Sequence, residues 1–162
     1  MEVKVKTIII YSTKYGSVEK AALKLKGHLK GDVEVVNVKN NPSFIDYDVV
    51  ILGGSIYAGR IQKEMKKFLK ENLSKLKEKK VGLFICAGTE KETDINSYLA
   101  SSFTQELYDR ALAKANLGHE YDLKKFSFID RLAVRIVGGV KESKAVYYNE
   151  RISEFAGKVS NS

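Results

Sequence analysis

Three short stretches of this chain carry groups suited to holding a ligand. The first is Ser12-Thr13-Lys14-Tyr15-Gly16-Ser17, a hydroxyl-rich segment after the β-branched apolar run at 7–11. Beyond it, Val18, Ala21, Ala22, Leu25 and Leu29 recur at helical spacing, so the segment reads as a loop between a buried strand and a helix. Amide N–H groups and the dipole at a helix start favour an anion, and Ser12, Thr13 and Ser17 add hydroxyl donors. Gly16 allows close backbone approach. This is the chemistry of a phosphate-sized anion site, although the same residues also make an ordinary helix cap.

The second stretch is Gly53-Gly54-Ser55-Ile56-Tyr57-Ala58-Gly59-Arg60, small residues around a tyrosine that offers a ring for stacking. The blander reading is a glycine-rich turn with an exposed tyrosine. The third is Cys86-Ala87-Gly88-Thr89, again small and polar after an apolar run. With no tryptophan in the chain, an aromatic wall has to come from tyrosine or phenylalanine.

Several phosphate chemistries are excluded by spacing. A Walker loop ends in Gly-Lys-Ser/Thr, whereas Lys14 precedes the glycine, and the dinucleotide fingerprint needs three spaced glycines. A cysteine phosphatase loop needs its nucleophile here, yet the single cysteine is Cys86. A phosphate-accepting receiver domain needs carboxylates to hold a metal, and this loop has none. A monophosphate held by neutral donors remains.

The elements that must position these loops alternate. Strands are expected at 7–11, 33–38, 47–54 and 81–87, with a fifth near 116–121. Helices are expected from Val18, over 61–76, as one long helix from Ile95 to Leu112, and around Ile152, Phe155, Ala156 and Val159. Alternation of this kind implies an α/β three-layer sandwich on a parallel sheet with right-handed crossovers. The first strand, the most continuously apolar, is expected at the centre. All three loops then meet at the carboxyl rim, where open parallel sheets bind ligands.

The 162 residues at 44% hydrophobic content suit one domain with a full core. The formal charge of +8 is spread as lysines along most helices without an arginine cluster, so it reads as a solvated surface and no nucleic-acid partner is expected. A single cysteine excludes an internal disulfide and suits the cytoplasm. The run at 8–10 is too short for a signal peptide, and no stretch is long enough to span a bilayer. Cys86 reads as a core residue, and no spacing joins His28 or His119 to metal-ligand partners, so no metal and no catalytic side chain are expected.

The succession Ser-Thr-x-x-Gly-Ser, Gly-Gly-Ser-Ile-Tyr-Ala-Gly and Ala-Gly-Thr resembles a flavodoxin-fold FMN protein over nearly the whole chain. More narrowly it is similar to the flavodoxin-type, menaquinone-dependent protoporphyrinogen oxidases. Ser55-Ile56-Tyr57-Ala58-Gly59 carries that likeness, with Thr93 before Asn96-Ser97-Tyr98, and Asp130-Arg131 with Arg135 and Gly138-Gly139. The resemblance implies a five-stranded parallel sheet in the order 2-1-3-4-5 and FMN as cofactor. The FMN phosphate is expected on Ser12, Thr13, Lys14, Tyr15, Gly16 and Ser17, and the ring against Gly54, Ser55, Ile56, Tyr57, Ala58 and Gly59. Ala87, Gly88 and Thr89 are expected at its pyrimidine end.

The implied function is electron transfer between partners, a redox protein or a quinone. The alternative is an oxidase-type enzyme that passes substrate electrons through FMN to a quinone. The oxidase pattern is about one helical turn longer between Arg135 and Gly138-Gly139, and Asp122-Leu123-Lys124-Lys125-Phe126 replaces its aromatic and basic residues. Those departures bear on the substrates, not on FMN. A cation such as Arg60 at ~10 Å would stabilise an anionic reduced flavin by about 1.7 kcal/mol at an effective dielectric of ~20.

The segment at about 122–141 is expected as an insertion before the last helix of a single domain spanning 1–162. Over 126–137 a helix would gather Phe126, Ile129, Ala133, Ile136 and Val137 near one side, with Asp130 and Arg131 towards the other and Leu132 and Arg135 at the borders. One reading is a helix packed over the sheet end. The other is a peripheral contact with an anionic membrane through Lys124, Lys125, Arg131 and Arg135.

Overall fold

The computed structural model describes residues 4–136 and 142–161. Val137, Gly138, Gly139 and Lys141, singled out above, lie outside the described residues.

Five strands, β1 (Lys6–Tyr11), β2 (Asp32–Asn37), β3 (Val49–Ser55), β4 (Lys80–Cys86) and β5 (Ala113–Asn116), form one sheet in the order β2-β1-β3-β4-β5. All four pairings are parallel. The expected order is observed, but the middle position belongs to β3, buried at all seven positions, and β1 lies beside it. In β1, alternate residues point to opposite layers: Ile8 and Ile10 join one core with Val50, Leu52, Met65 and Phe103, while Ile9 joins Ile51, Leu25 and Phe155 in the other. A strand covered on both faces therefore has no polar alternation, which is why 8–10 reads as a continuous apolar run.

Helices α1 (Ser17–His28) and α6 (Asn149–Ser160) cover the second layer, and α2 (Lys63–Leu76), α3 (Glu92–Phe103) and α4 (Gln105–Arg110) cover the first. The single long helix expected from Ile95 to Leu112 is broken at Thr104. That residue adopts φ 75°, and its hydroxyl oxygen accepts from the Leu107 N–H to start α4. A local Thr cap outcompetes continued helix there, although the apolar spacing runs on.

The fifth strand needs a larger correction. β5 ends at Asn116, and Gly118 at φ 139° turns the chain into a separate ribbon. In that ribbon β6 (Gly118–Tyr121) pairs antiparallel with β7 (Lys144–Tyr147). A Cβ at Gly118 would sit 2.2 Å from the Val146 carbonyl oxygen, so the turn requires glycine for both conformation and space. Between the ribbon strands lies α5 (Phe128–Ile136), which has no fully buried residue.

Candidate functional site

The strand-end loops meet as expected. Tyr11 is in register with Gly53, and Ser55 with Cys86, so the three loops leave the sheet at one level. The rings of Tyr15 and Tyr57 lie 5.7 Å apart, edge to face, and the Lys14 ammonium sits 5.8 Å from the Tyr57 ring. Beside them opens a cleft of about 730 Å³ lined by Thr13, Lys14, Tyr57, Arg60 and Gln62, among others. Arg60 is exposed, so solvent screens its effect on anything bound there.

Within the first loop the hydroxyls of Ser12 and Thr13 are already engaged. Ser12 is buried and donates to the Gln62 side-chain oxygen, and the Thr13 hydroxyl oxygen accepts from the Gly16 N–H. The first turn of α1 itself has no side-chain cap. Gly16 stands at φ 98°, and a Cβ there would meet nothing within 4 Å. An uncapped helix start facing open space fits an anion held by backbone N–H groups, with glycine required for conformation rather than for room.

The second loop divides into scaffold and rim. A Cβ at Gly54 would fall 2.4 Å from Ile61 and 2.9 Å from the Ser12 hydroxyl oxygen, so its smallness serves internal packing. Ser55 is buried against Gln62, whose amide donates to the Ser55 carbonyl and hydroxyl while its oxygen accepts from the Ser55 N–H. Ile56 packs against the core. These three residues, expected beside a ligand, point into the fold. Tyr57, Ala58 and Gly59 form the outward tip, a tight hairpin closed by paired Tyr57 and Arg60 backbone bonds with positive φ at Ala58 and Gly59. Burial raises the Tyr57 phenol above its ordinary range, as does the neighbourhood of Tyr121 and Tyr15, so its oxygen stays protonated.

The third loop is set by a residue that the sequence reading missed. Asn116, buried at the end of β5, donates to the carbonyls of Ala87 and Thr89 and accepts from the N–H groups of Ala87 and Gly118. Its signal was a lone amide closing a short strand, Ala113–Asn116. Gly88 is exposed and Thr89 half-buried. A Cβ at Gly88 would meet the Tyr121 hydroxyl at 2.1 Å.

Also missed was an aromatic box. Phe126 is buried, stacked on Tyr15 at 4.4 Å, and the rings of Tyr57 and Tyr121 meet it edge-on at 5.9 and 6.1 Å. Asp130 pairs with Lys14 and accepts from the Tyr15 hydroxyl, which in turn accepts from the Ser127 N–H. Burial alone would raise the Asp130 carboxyl, but the hydrogen bonds from Lys14 and Tyr15 outweigh it and hold the carboxyl below its ordinary range. Phe126 therefore lies inward, off the face of α5 expected to carry it. That helix instead exposes Phe128 (78%), Ile129 (76%), Leu132 (45%) and Ile136 (72%). Of the basic residues expected to meet a membrane, Lys124, Lys125 and Arg135 are exposed and Arg131 is half-buried.

Cys86 and His119 are buried beside the site rather than in it. Burial pushes the Cys86 thiol up to about 12, so it is not a nucleophile at neutral pH. His119 lies 5.3 Å from the Tyr121 ring, its Nδ1 is buried without a partner, and burial holds the imidazole below its ordinary range.

This arrangement has relatives. A curated Escherichia coli K12 protein named protoporphyrinogen IX dehydrogenase [quinone] is 24% identical over 96% of this chain and 95% of its own. A flavodoxin from the domain Archaea superposes with a TM-score of 0.59 at 16% identity, covering 96% of this chain and 99% of that one. The Fusobacterium nucleatum flavodoxin bound to flavin mononucleotide superposes with a TM-score of 0.54 at 15% identity, covering 96% and 97%. A family model described as Flavodoxin domain matches residues 8–146, and the chain belongs to that family.

Proposed function

We propose that this flavodoxin-domain chain binds FMN at the carboxyl rim of its sheet and passes electrons between redox partners. The observation that carries the reading is the uncapped first turn of α1, open at Gly16, beside a box of tyrosines. In this reading the backbone of 13–17 takes the phosphate, Lys14 adds charge, Tyr57 lies against the ring, and Gly88 and Thr89 meet its pyrimidine end. Ser12, Ser55 and Ile56 hold the loops in register from behind, through Gln62 and the core. Bound FMN would supply the redox chemistry, and the chain binds it, orients it and sets its electrostatics. Purified protein soaked in FMN should turn yellow and melt at a higher temperature than the flavin-free form. Absence of both effects contradicts the reading.

A second reading, an oxidase-type enzyme with a quinone acceptor, is favoured by one observation. The exposed apolar side chains of α5 stand next to exposed Lys124, Lys125 and Arg135, a pattern suited to an anionic membrane surface where quinones reside. Each basic residue near such a surface contributes about 1 kcal/mol. The contact would be peripheral, since no helix among the described residues is long and apolar enough to cross a membrane. Anionic vesicles should float the protein at low salt, and neutralising Lys124, Lys125, Arg131 and Arg135 together should abolish this. No flotation at low salt removes the membrane role. Oxidised, FMN-loaded protein mixed anaerobically with protoporphyrinogen as donor, followed by a menaquinone analogue as acceptor for the electrons of the reduced flavin, then separates enzyme from carrier.

A further inference from the structure

We infer that residues 122–136 form a lid that competes with FMN for the aromatic box, Phe126 holding the place of a flavin ring. The inference rests on the FMN reading and adds to it a conformational step. Phe126 is 4% exposed, although the helix it precedes has no fully buried residue. Its ring is the part of the segment driven inward, and it fills a slot walled by Tyr15, Tyr57 and Tyr121. A planar apolar ring suits that slot whether it comes from a side chain or from a cofactor.

The lid is latched by the residues expected to hold FMN. Lys14 gives its ammonium to Asp130. The Tyr15 hydroxyl donates to Asp130 and accepts from Ser127, and its ring carries Phe126. Tyr121 sits over Gly88, on the loop assigned to the pyrimidine end. The Lys14 ammonium and the ring face of Tyr15 cannot serve the lid and a bound flavin at once. The closed lid also leaves the Arg131 Nε buried without a partner and four large apolar side chains of α5 exposed, so the docked state is not strongly favoured. A ligand that binds only the open form shifts the population towards it, and its apparent affinity falls by the open fraction.

The test titrates FMN into the wild-type chain, Phe126→Ala and Asp130→Asn, and follows amide exchange over 122–136 with and without FMN. Phe126→Ala removes the competing ring, and Asp130→Asn weakens the latch while keeping the ring. Both variants should bind FMN more tightly than wild type, by about tenfold if the lid is closed in roughly nine molecules of ten. FMN should speed exchange at Ser127 and through α5. Unchanged or weaker FMN binding in both variants, or exchange slowed by FMN, overturns the lid. Absence of FMN binding in all three proteins instead overturns the cofactor reading, and the lid inference falls with it.

Discussion

The sheet rim and the ribbon-and-helix annex, described over 118–136 and 142–147, are held by opposite means. The rim rests on strands buried on both faces, and its loops are tied by two side-chain amides, the half-buried Gln62 and the buried Asn116. The annex contributes a helix without a fully buried residue, and apart from the Phe126 ring and Tyr147 it is tied to the rest of the chain by polar side chains. Lys20 pairs with Glu120, Lys14 with Asp130, and the Tyr147 hydroxyl bonds Glu120 and the Ser17 carbonyl. The rim is thus built as a rigid frame. The annex is built from contacts that a ligand or a change of pH can undo.

That contrast breaks most sharply at Gly53. A Cβ there would lie 2.1 Å from the Phe84 ring, so Gly53→Val should destabilise by about 3 kcal/mol. Phe128→Ser in the annex should change stability by less than about 0.5 kcal/mol, because that ring is exposed. Urea midpoints compare the two directly, and similar losses would erase the distinction.

Asn116→Ala should come next, at about 2 kcal/mol, since it strips partners from buried backbone at 87–89. Amide exchange should rise at Ala87 and Gly118 while β1 stays protected. Uniform loosening of the sheet would show that Asn116 supports the core rather than the loop.

The annex should answer to pH through His119. Its folded-state pKa is lowered by burial and by Lys144, against an opposing pull from Glu90. The unfolded chain therefore takes up the proton first, and the stabilisation present above about pH 6.5 fades as pH falls below that value. Melting temperatures between pH 7.5 and 5.5 should fall more for wild type than for His119→Phe. Parallel curves would remove His119 as the cause.

Asp130→Asn is expected to have only a small effect on global stability. Lys14 is 45% exposed, so the pair contributes less than about 1 kcal/mol, although it decides how the lid sits. Here the sign runs as for a depressed carboxylate: the latch is present above the ordinary Asp range near pH 3.9 and is lost as pH falls through the lower folded value.

The frame was legible because burial on two faces writes itself into composition: 8–10, 49–52 and 83–86 carry no polar residue. Loop placement followed from alternation alone. Three features were not legible: two depend on contacts distant in the chain, and one on a local cap that the apolar spacing does not register. Gly118 ends β5 because Val146 approaches it, which no local pattern announces. Thr104 breaks a helix whose apolar spacing continues past it. Phe126 lies at helical spacing with Ile129 yet turns inward, because Tyr15, more than a hundred residues earlier, offers it a partner. The small size of Gly54 and Ser55 also serves packing that no local pattern announces, against Ile61 and Gln62.

The central claim is that the open start of α1 is a phosphate site on a flavin-binding rim. Calorimetric titration of the flavin-free chain with FMN and with riboflavin, which lacks the phosphate, tests it most directly. Two hydrogen bonds to a charged group at about 1.5 kcal/mol each correspond to roughly a hundredfold preference. One FMN per chain should bind, about that much more tightly than riboflavin, with the preference lost in Gly16→Val. Equal affinity for the two flavins, or binding of neither, would contradict it.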